Sequence, residues 1–94
     1  EVEGYLLTHP SVKVAALVGL SDEKLGEVPV AFIETKGNAE ISEDELIEFC
    51  KGEIASFKIP RHVRFVDEWP MGATKILKYE LRDRIHEEFS LDLS

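Results

Sequence analysis

The segment from Val12 to Leu20 is almost entirely apolar, and this constrains the fold more than any other feature of the chain. Its valines favour an extended strand, and a strand that is apolar on both sides needs cover on both faces. Val28 to Thr35 predicts a second strand, and the polar turn Ser21 to Gly26 predicts that the two pair antiparallel. Because Pro29 lacks an N–H group, we expect the second strand to lie at a sheet edge or to carry a bulge.

The other periodic segments predict helices and one further strand. Val2 to Thr8 is interpreted as the end of a helix that stops at a proline. Ser42 and Glu45 form a capping-box pattern before an apolar stripe, which predicts a second helix. His62 to Asp67 alternates as a strand does, and Lys78 to Phe89 has apolar residues at four-residue spacing. The fold class is therefore α+β, with a small three-stranded sheet and about three packing helices.

Composition excludes several classes of function. A chain of 94 residues suits one domain with a small core, and a formal net charge of −8 argues against nucleic acid or an anionic membrane as partner. The single cysteine, Cys50, excludes an internal disulfide and suits a reducing cytoplasm. No apolar run reaches the length of a membrane span, and no signal peptide is visible. His9, His62 and His86 share no ligand spacing, so no metal site is predicted.

Two short basic segments are candidates for function. Between Trp69 and Thr74 a proline and a glycine predict an exposed connection, which leads to Lys75. One cation with small neighbours suits contact with a phosphate or a carboxylate, although most loop lysines are simply solvated. Lys58 and Arg61 flank a proline before the third strand. They are either solvated side chains whose stems cover apolar surface, or a contact for a larger partner or an anionic ligand.

An ordered series of short motifs runs through nearly the whole chain. It comprises Glu1-Val2-Glu3, Leu6-Leu7, His9-Pro10, Ala15-Ala16, Asp22-Glu23, Gly26-Glu27, Ala31-Phe32, Phe57-Lys58, Pro60-Arg61, Phe65-Val66, and finally Lys75, Ile76, Lys78, Leu81 and Arg82. The series resembles the C-terminal domain of the adenylate-forming acyl-CoA synthetase (AMP-binding enzyme) superfamily, and is most similar to fatty-acid and aromatic carboxylate–CoA ligases. In that superfamily a hinge residue and a glycine-rich hairpin normally precede the point where this chain begins. We therefore expect the chain, residues 1–94, to be a lid domain taken from a longer protein.

The resemblance also implies roles for individual residues. The lysine that matches Lys75 is catalytic: it reaches into the N-terminal domain and contacts the carboxylate substrate and the α-phosphate of ATP. Lys58 and Arg61 are assigned to a contact with CoA or with the domain interface. The family pattern has glycine just before the catalytic lysine, whereas this chain has Thr74, and the spacing from Pro70 is one residue short. Lys75 is nevertheless preferred over Lys78, which is expected to begin the last helix.

The function expected is that of the mobile C-terminal domain of an ATP-dependent carboxylate–CoA ligase. ATP, CoA and a small carboxylic acid would be substrates of the full-length enzyme, with Mg²⁺ and most ATP contacts on the N-terminal adenylation domain. This domain alone is expected to be inactive and to hold no cofactor. Two alternatives stay open: an adenylation domain that loads a carrier protein, and a free-standing acidic interaction module.

Overall fold

The computed structural model describes residues 2–24, 26–37 and 40–92, with side chains described up to Phe89 in the last helix. The elements in chain order are α1 (Val2–Leu6), β1 (Val12–Asp22), β2 (Gly26–Thr35), α2 (Glu43–Cys50), a short 3₁₀ helix (Ser56–Lys58), β3 (His62–Phe65) and α3 (Lys78–Asp92). The α+β class, the three strands and the three helices that were predicted are confirmed. The third strand ends at Phe65 rather than Asp67, and α1 ends at Leu6 rather than Thr8.

The sheet has the order β1-β2-β3, with β1 and β2 antiparallel and β2 and β3 parallel. The predicted antiparallel pair is confirmed, but the expectation that Pro29 places β2 at an edge or at a bulge is wrong. Strand β2 is the central strand, Pro29 is in register with Gly19, and the irregularity of this pair lies between Val12 and Val14. Pro29 is tolerated there because pairing with β3 begins only at Val30. The Pro29 carbonyl accepts the N–H of Arg61 on that side, and the N–H that proline lacks would point the same way, ahead of the ladder.

Both faces of the sheet are covered, as the apolar β1 segment predicts. On one face α1 and α2 bury Leu6 and Leu46 against Ile33 of the central strand. On the other face α3 buries Leu81 and Ile85 against β1 and β2. The result is three layers, with the sheet between the α1–α2 pair and α3, so that each face of the central strand contributes to a separate core.

The capping pattern before α2 forms as predicted in its first half. Ser42 is the N-cap residue, and its hydroxyl accepts the N–H of Glu45 at 3.1 Å. This bond satisfies one of the N–H groups that a helix leaves unpaired in its first turn. It therefore fixes where α2 begins, and with it the position of Glu43 at the first helical residue.

Candidate functional site

The segment that carries Lys75 is a closed hairpin rather than an open loop. The N–H of Leu77 donates to the Pro70 carbonyl at 2.8 Å, and the N–H of Gly72 donates to the Lys75 carbonyl at 2.8 Å. Met71 and Ile76 form an antiparallel bridge between these two bonds. We call residues 70–77 the Lys75 hairpin. These backbone bonds hold the part of the chain from which the Lys75 side chain extends.

The Lys75 hairpin is packed at its base and exposed at its end. Trp69, just before it, and Ile76 both pack against the core between the sheet and α3. A Cβ atom at Gly72 would lie 3.0 Å from Cδ2 of Leu77, so the two sides of the hairpin are close enough to favour glycine there. Ala73 to Lys75 is exposed, as predicted for this connection.

Trp69 is held by a hydrogen bond as well as by packing. Its indole Nε1–H donates to Oε1 of Glu34, on β2, at 2.7 Å. Lys13, on β1, lies 3.4 Å from the other oxygen of the same carboxylate. The Trp69 hydrogen bond is the main cause that lowers the pKa of Glu34, and Lys13 lowers it further against the opposing effect of burial. The carboxylate therefore stays ionised as an acceptor for the residue that precedes the hairpin.

The two lysines near the start of α3 have different surroundings. Lys78 is the first residue of α3, as predicted, and its Nζ lies 2.5 Å from Oε2 of Glu3. Lys75 is exposed, and none of the ion pairs found in the described part of the chain involves it. Lys75 lines an open groove that also includes Glu3 and Lys78. Of these two lysines, Lys75 is therefore exposed without a carboxylate partner in the described part of the chain, while Lys78 is paired with Glu3.

Lys58 and Arg61 each line a groove that includes an exposed aromatic ring, Phe57. Phe57 is 77% exposed, and Nζ of Lys58 lies 5.7 Å from the centre of its ring. Lys58 shares a groove with Lys78 beside β1, whereas Arg61 lines two other depressions, one of which also includes Phe57. The structure thus brings Lys58 near the start of α3 but does not place Arg61 in the same groove.

Two observations concern metal and membrane. Within residues 2–24, 26–37 and 40–92 there is no group of three or more His, Cys, Asp and Glu side chains arranged to hold a metal ion. Of the helices described, none is both long and apolar enough to cross a membrane. Cys50 is fully buried in α2, and this burial raises the pKa of its thiol, so it behaves as a small core residue.

Comparison with known proteins identifies the family of this domain. The family model described as "AMP-binding enzyme C-terminal domain" matches residues 1–87. The chain belongs to this family. It is 46% identical over its whole length to the Bacillus subtilis protein YngI, which carries the name of an acyl-CoA synthetase, and covers 17% of that protein. It is 42% identical over 93% of its length to a 2-succinylbenzoate–CoA ligase of Bacillus cereus, and covers 18% of it.

A solved structure of a relative supports the same assignment. The fatty acyl CoA synthetase of Mycobacterium tuberculosis superposes with a TM-score of 0.84 at 36% identity, over 94% of this chain and 18% of the other. The chain thus spans about a sixth of the length of these relatives (17–18%). The resemblance that was based on the ordered motifs is confirmed, and this AMP-binding C-terminal domain has the arrangement of helices and strands seen in that synthetase.

Sequence reasoning missed one residue of this AMP-binding C-terminal domain that contacts the start of α3. Glu3 was interpreted only as part of a helix end, yet Oε2 of its carboxylate accepts the N–H of Leu17 at 2.7 Å and also contacts Lys78. Burial raises the pKa of Glu3, but the bonds from Lys78 and Leu17 outweigh burial and leave the pKa below its ordinary value. No local motif signals this role, because both partners are distant in sequence.

Proposed function

We propose that this chain is the mobile C-terminal lid domain of an ATP-dependent carboxylate–CoA ligase, and that Lys75 is its catalytic residue. The observation that supports the proposal is the contrast between Lys75 and Lys78: one is exposed with no carboxylate partner in the described part of the chain, and the other is neutralised by Glu3. Family membership favours the ligase over a free-standing acidic interaction module.

The proposed chemistry explains why such a cation is needed. In the first half-reaction the substrate carboxylate attacks the α-phosphorus of ATP, an O–P bond forms, and pyrophosphate leaves. Two anions must approach each other, and negative charge grows on the phosphoryl oxygens. An ammonium group held at that position stabilises the transition state more than the ground state. Lys75, at the exposed end of a closed hairpin, has the charge and the reach for this role.

The second half-reaction requires Lys75 to leave. The thiol of CoA loses its proton and attacks the acyl carbon, and the C–S bond of the thioester forms. The acyl C–O bond breaks, so that AMP leaves with the oxygen that had joined the acyl carbon to phosphorus. The domain would swing between the two half-reactions, as lids do in enzymes that sequester successive steps. The substrate pocket, most ATP contacts and Mg²⁺ would belong to the N-terminal adenylation domain, and this domain alone would be inactive.

Lys58 and Arg61 are proposed to face the N-terminal domain or the phosphates of CoA. An exposed phenylalanine near two cations suits a surface that becomes covered, because the apolar area of Phe57 contributes stability only when it is removed from water. A carrier protein in place of CoA is the alternative acceptor. The cytoplasm is the proposed compartment, since a single buried thiol fits a reducing environment.

The decisive test is Lys75→Ala in the full-length enzyme, with the two half-reactions measured separately. Loss of one preorganised electrostatic contact lowers turnover by about 10² to 10³. We expect this loss in acyl-adenylate formation, measured by pyrophosphate release, and little change in CoA acylation from supplied acyl-adenylate. Lys36→Ala, which removes another exposed lysine, is the control and should leave both rates unchanged. Equal losses in both half-reactions, or none in either, would contradict the role proposed for Lys75.

A further inference from the structure

Glu3 connects three elements that are far apart in the chain. Its Oε2 atom accepts the N–H of Leu17, on the unpaired side of β1, at 2.7 Å. The same atom lies 2.5 Å from Nζ of Lys78, the first residue of α3. The side chains of Glu3 and Lys78 are 33% and 51% exposed, so solvent screens the attraction between them in part. Because one oxygen makes both contacts, a single atom links the Lys78 side chain to the backbone of β1.

The ion pair between Glu3 and Lys78 lies next to the Lys75 hairpin. Leu77, the neighbour of Lys78, closes the hairpin through its bond to Pro70. At the other end of the segment Trp69 is bonded to Glu34 of β2. Two carboxylates on different elements thus hold the two ends of the segment that carries Lys75, and the hairpin between them is braced by its own backbone bonds. Lys75 itself makes no ion pair in the described part of the chain that could fix its direction.

We propose that Glu3 is a positioning residue for Lys75: through Lys78 it sets the start of α3 and so the direction of the Lys75 hairpin. This inference rests on the proposed catalytic role of Lys75. Acyl-adenylate formation is sensitive to the placement of a charge, because a displacement of about 1 Å can lower a rate by as much as about a hundredfold. Loss of the Glu3–Lys78 pair should therefore affect the half-reaction that uses Lys75 and leave the other unaffected.

The domain contains a matched control for this role. Oε2 of Glu43, in the first turn of α2, accepts the N–H of Val63 at 2.7 Å and lies 3.7 Å from Nη1 of Arg64. Its side chain is 39% exposed, close to the value for Glu3. Glu43 therefore makes the same two kinds of contact on β3, the opposite edge strand, without touching α3 near Lys78. A purely structural effect of losing such a carboxylate should appear equally at both positions.

The experiment compares Glu3→Gln, Lys78→Gln and Glu43→Gln in the full-length enzyme. Glutamine keeps an oxygen that can accept the strand N–H, so Glu3→Gln removes the ion pair and preserves the hydrogen bond to Leu17. We expect Glu3→Gln and Lys78→Gln each to slow acyl-adenylate formation roughly ten- to a hundredfold, chiefly in kcat. The double variant should be no slower than either single variant, because both remove the same contact. CoA acylation from supplied acyl-adenylate, and both rates of Glu43→Gln, should stay near those of the unmodified enzyme.

The possible outcomes separate this inference from the proposed function. If Lys75→Ala abolishes acyl-adenylate formation but Glu3→Gln and Lys78→Gln do not slow it, the positioning role is wrong and the catalytic role stands. If Lys75→Ala has no effect, the proposed function itself is wrong. Equal losses for Glu3→Gln and Glu43→Gln, or losses in both half-reactions, would show that Glu3 acts only through stability. If Glu3→Gln does not fold, Lys78→Gln tests the same contact from the other side.

Discussion

The two edges of the sheet are covered by the same device, yet only one of them adjoins the candidate site. At the β1 edge, Glu3 from the helix α1 accepts the strand N–H of Leu17. At the β3 edge, Glu43 from the helix α2 accepts the strand N–H of Val63. The unpaired N–H groups of an edge strand can pair with another chain, and a carboxylate that accepts such an N–H blocks pairing at that position. Both carboxylates therefore protect an edge while they fix a helix to the sheet.

The edges differ in what lies beyond the carboxylate. At β1 the contact continues to Lys78, and so to the Lys75 hairpin at the start of α3. At β3 it continues to Arg64, whose guanidinium also binds Glu88 near the other end of α3, with Nε 2.8 Å from Oε2. Helix α3 is thus fixed at both ends by ion pairs. The comparison teaches that the same kind of contact can have different neighbours at the two edges: in the described part of the chain the β1 contact reaches the start of α3 beside the exposed Lys75, and the β3 contact does not.

The largest effect on stability is expected from truncation of the buried leucines that pack α1 and α2 against the sheet. Leu6 and Leu46 each follow the carboxylate of their helix by one turn, and they are 1% and 0% exposed. Each Leu→Ala change should lower the free energy of unfolding by about 2–5 kcal/mol, measured by urea denaturation. Leu6→Ala should also speed hydrogen exchange at the Leu77 amide more than Leu46→Ala does, because α1 carries Glu3. Equal exchange in the two variants would remove the link between α1 and the hairpin.

A smaller effect is expected from breaking the β3 edge with Arg64→Met. The Arg64 hydrogen bond is the main cause that lowers the pKa of Glu88, and burial opposes it. Methionine keeps an apolar side chain but removes the guanidinium group, whose Cζ lies 5.6 Å from the centre of the Phe89 ring, so the loss is mainly electrostatic. Because the side chain of Glu88 is 43% exposed, we expect about 1 kcal/mol or less in the free energy of unfolding, and less at high salt.

The matching measurement for Arg64→Met is the pKa of Glu88, followed by NMR of its carboxyl carbon. We expect the pKa to return toward the ordinary value near 4.5 when the guanidinium is removed. The rate of acyl-adenylate formation in the full-length enzyme should not change, in contrast to Glu3→Gln. A rate loss comparable to that of Glu3→Gln would show that the two edges are functionally equivalent.

The smallest effect is expected on the pH dependence of stability, through the titration of His62 at the start of β3. Burial is the main cause that lowers the pKa of His62, and the cation of Arg64 adds to it. The unfolded chain therefore takes up this proton at a higher pH than the folded one, so the free energy of unfolding should fall as pH decreases from about 6.5 through the folded pKa. His62→Gln should remove this part of the pH dependence, measured by urea denaturation between pH 7.5 and 5.5. An NMR titration that places the pKa of His62 at or above 6.5 would contradict the sign.

Several elements could be predicted because their signals are local. The apolar segment of β1, the Ser42 cap and the four-residue spacing in α3 each depend on residues within a few positions of one another. The exposed end of the connection before Lys75 was also predictable, since proline and glycine favour such a structure wherever they occur. The closure of that connection into a hairpin was not predictable, because it depends on Trp69 and Ile76 finding the core beneath α3.

The amino-acid sequence by itself determined the α+β class, the antiparallel β1–β2 pair and the family, since these depend on periodicity, turn chemistry and ordered motifs. The tertiary structure alone decided the parallel pairing of β3 beside β2, the central position of the strand that contains Pro29, and the contacts of Glu3. The physical reason is sequence separation: strand order and ion pairs between elements are settled by contacts between residues far apart in the chain. Such contacts form only when both cores have packed, and no short stretch of sequence encodes them.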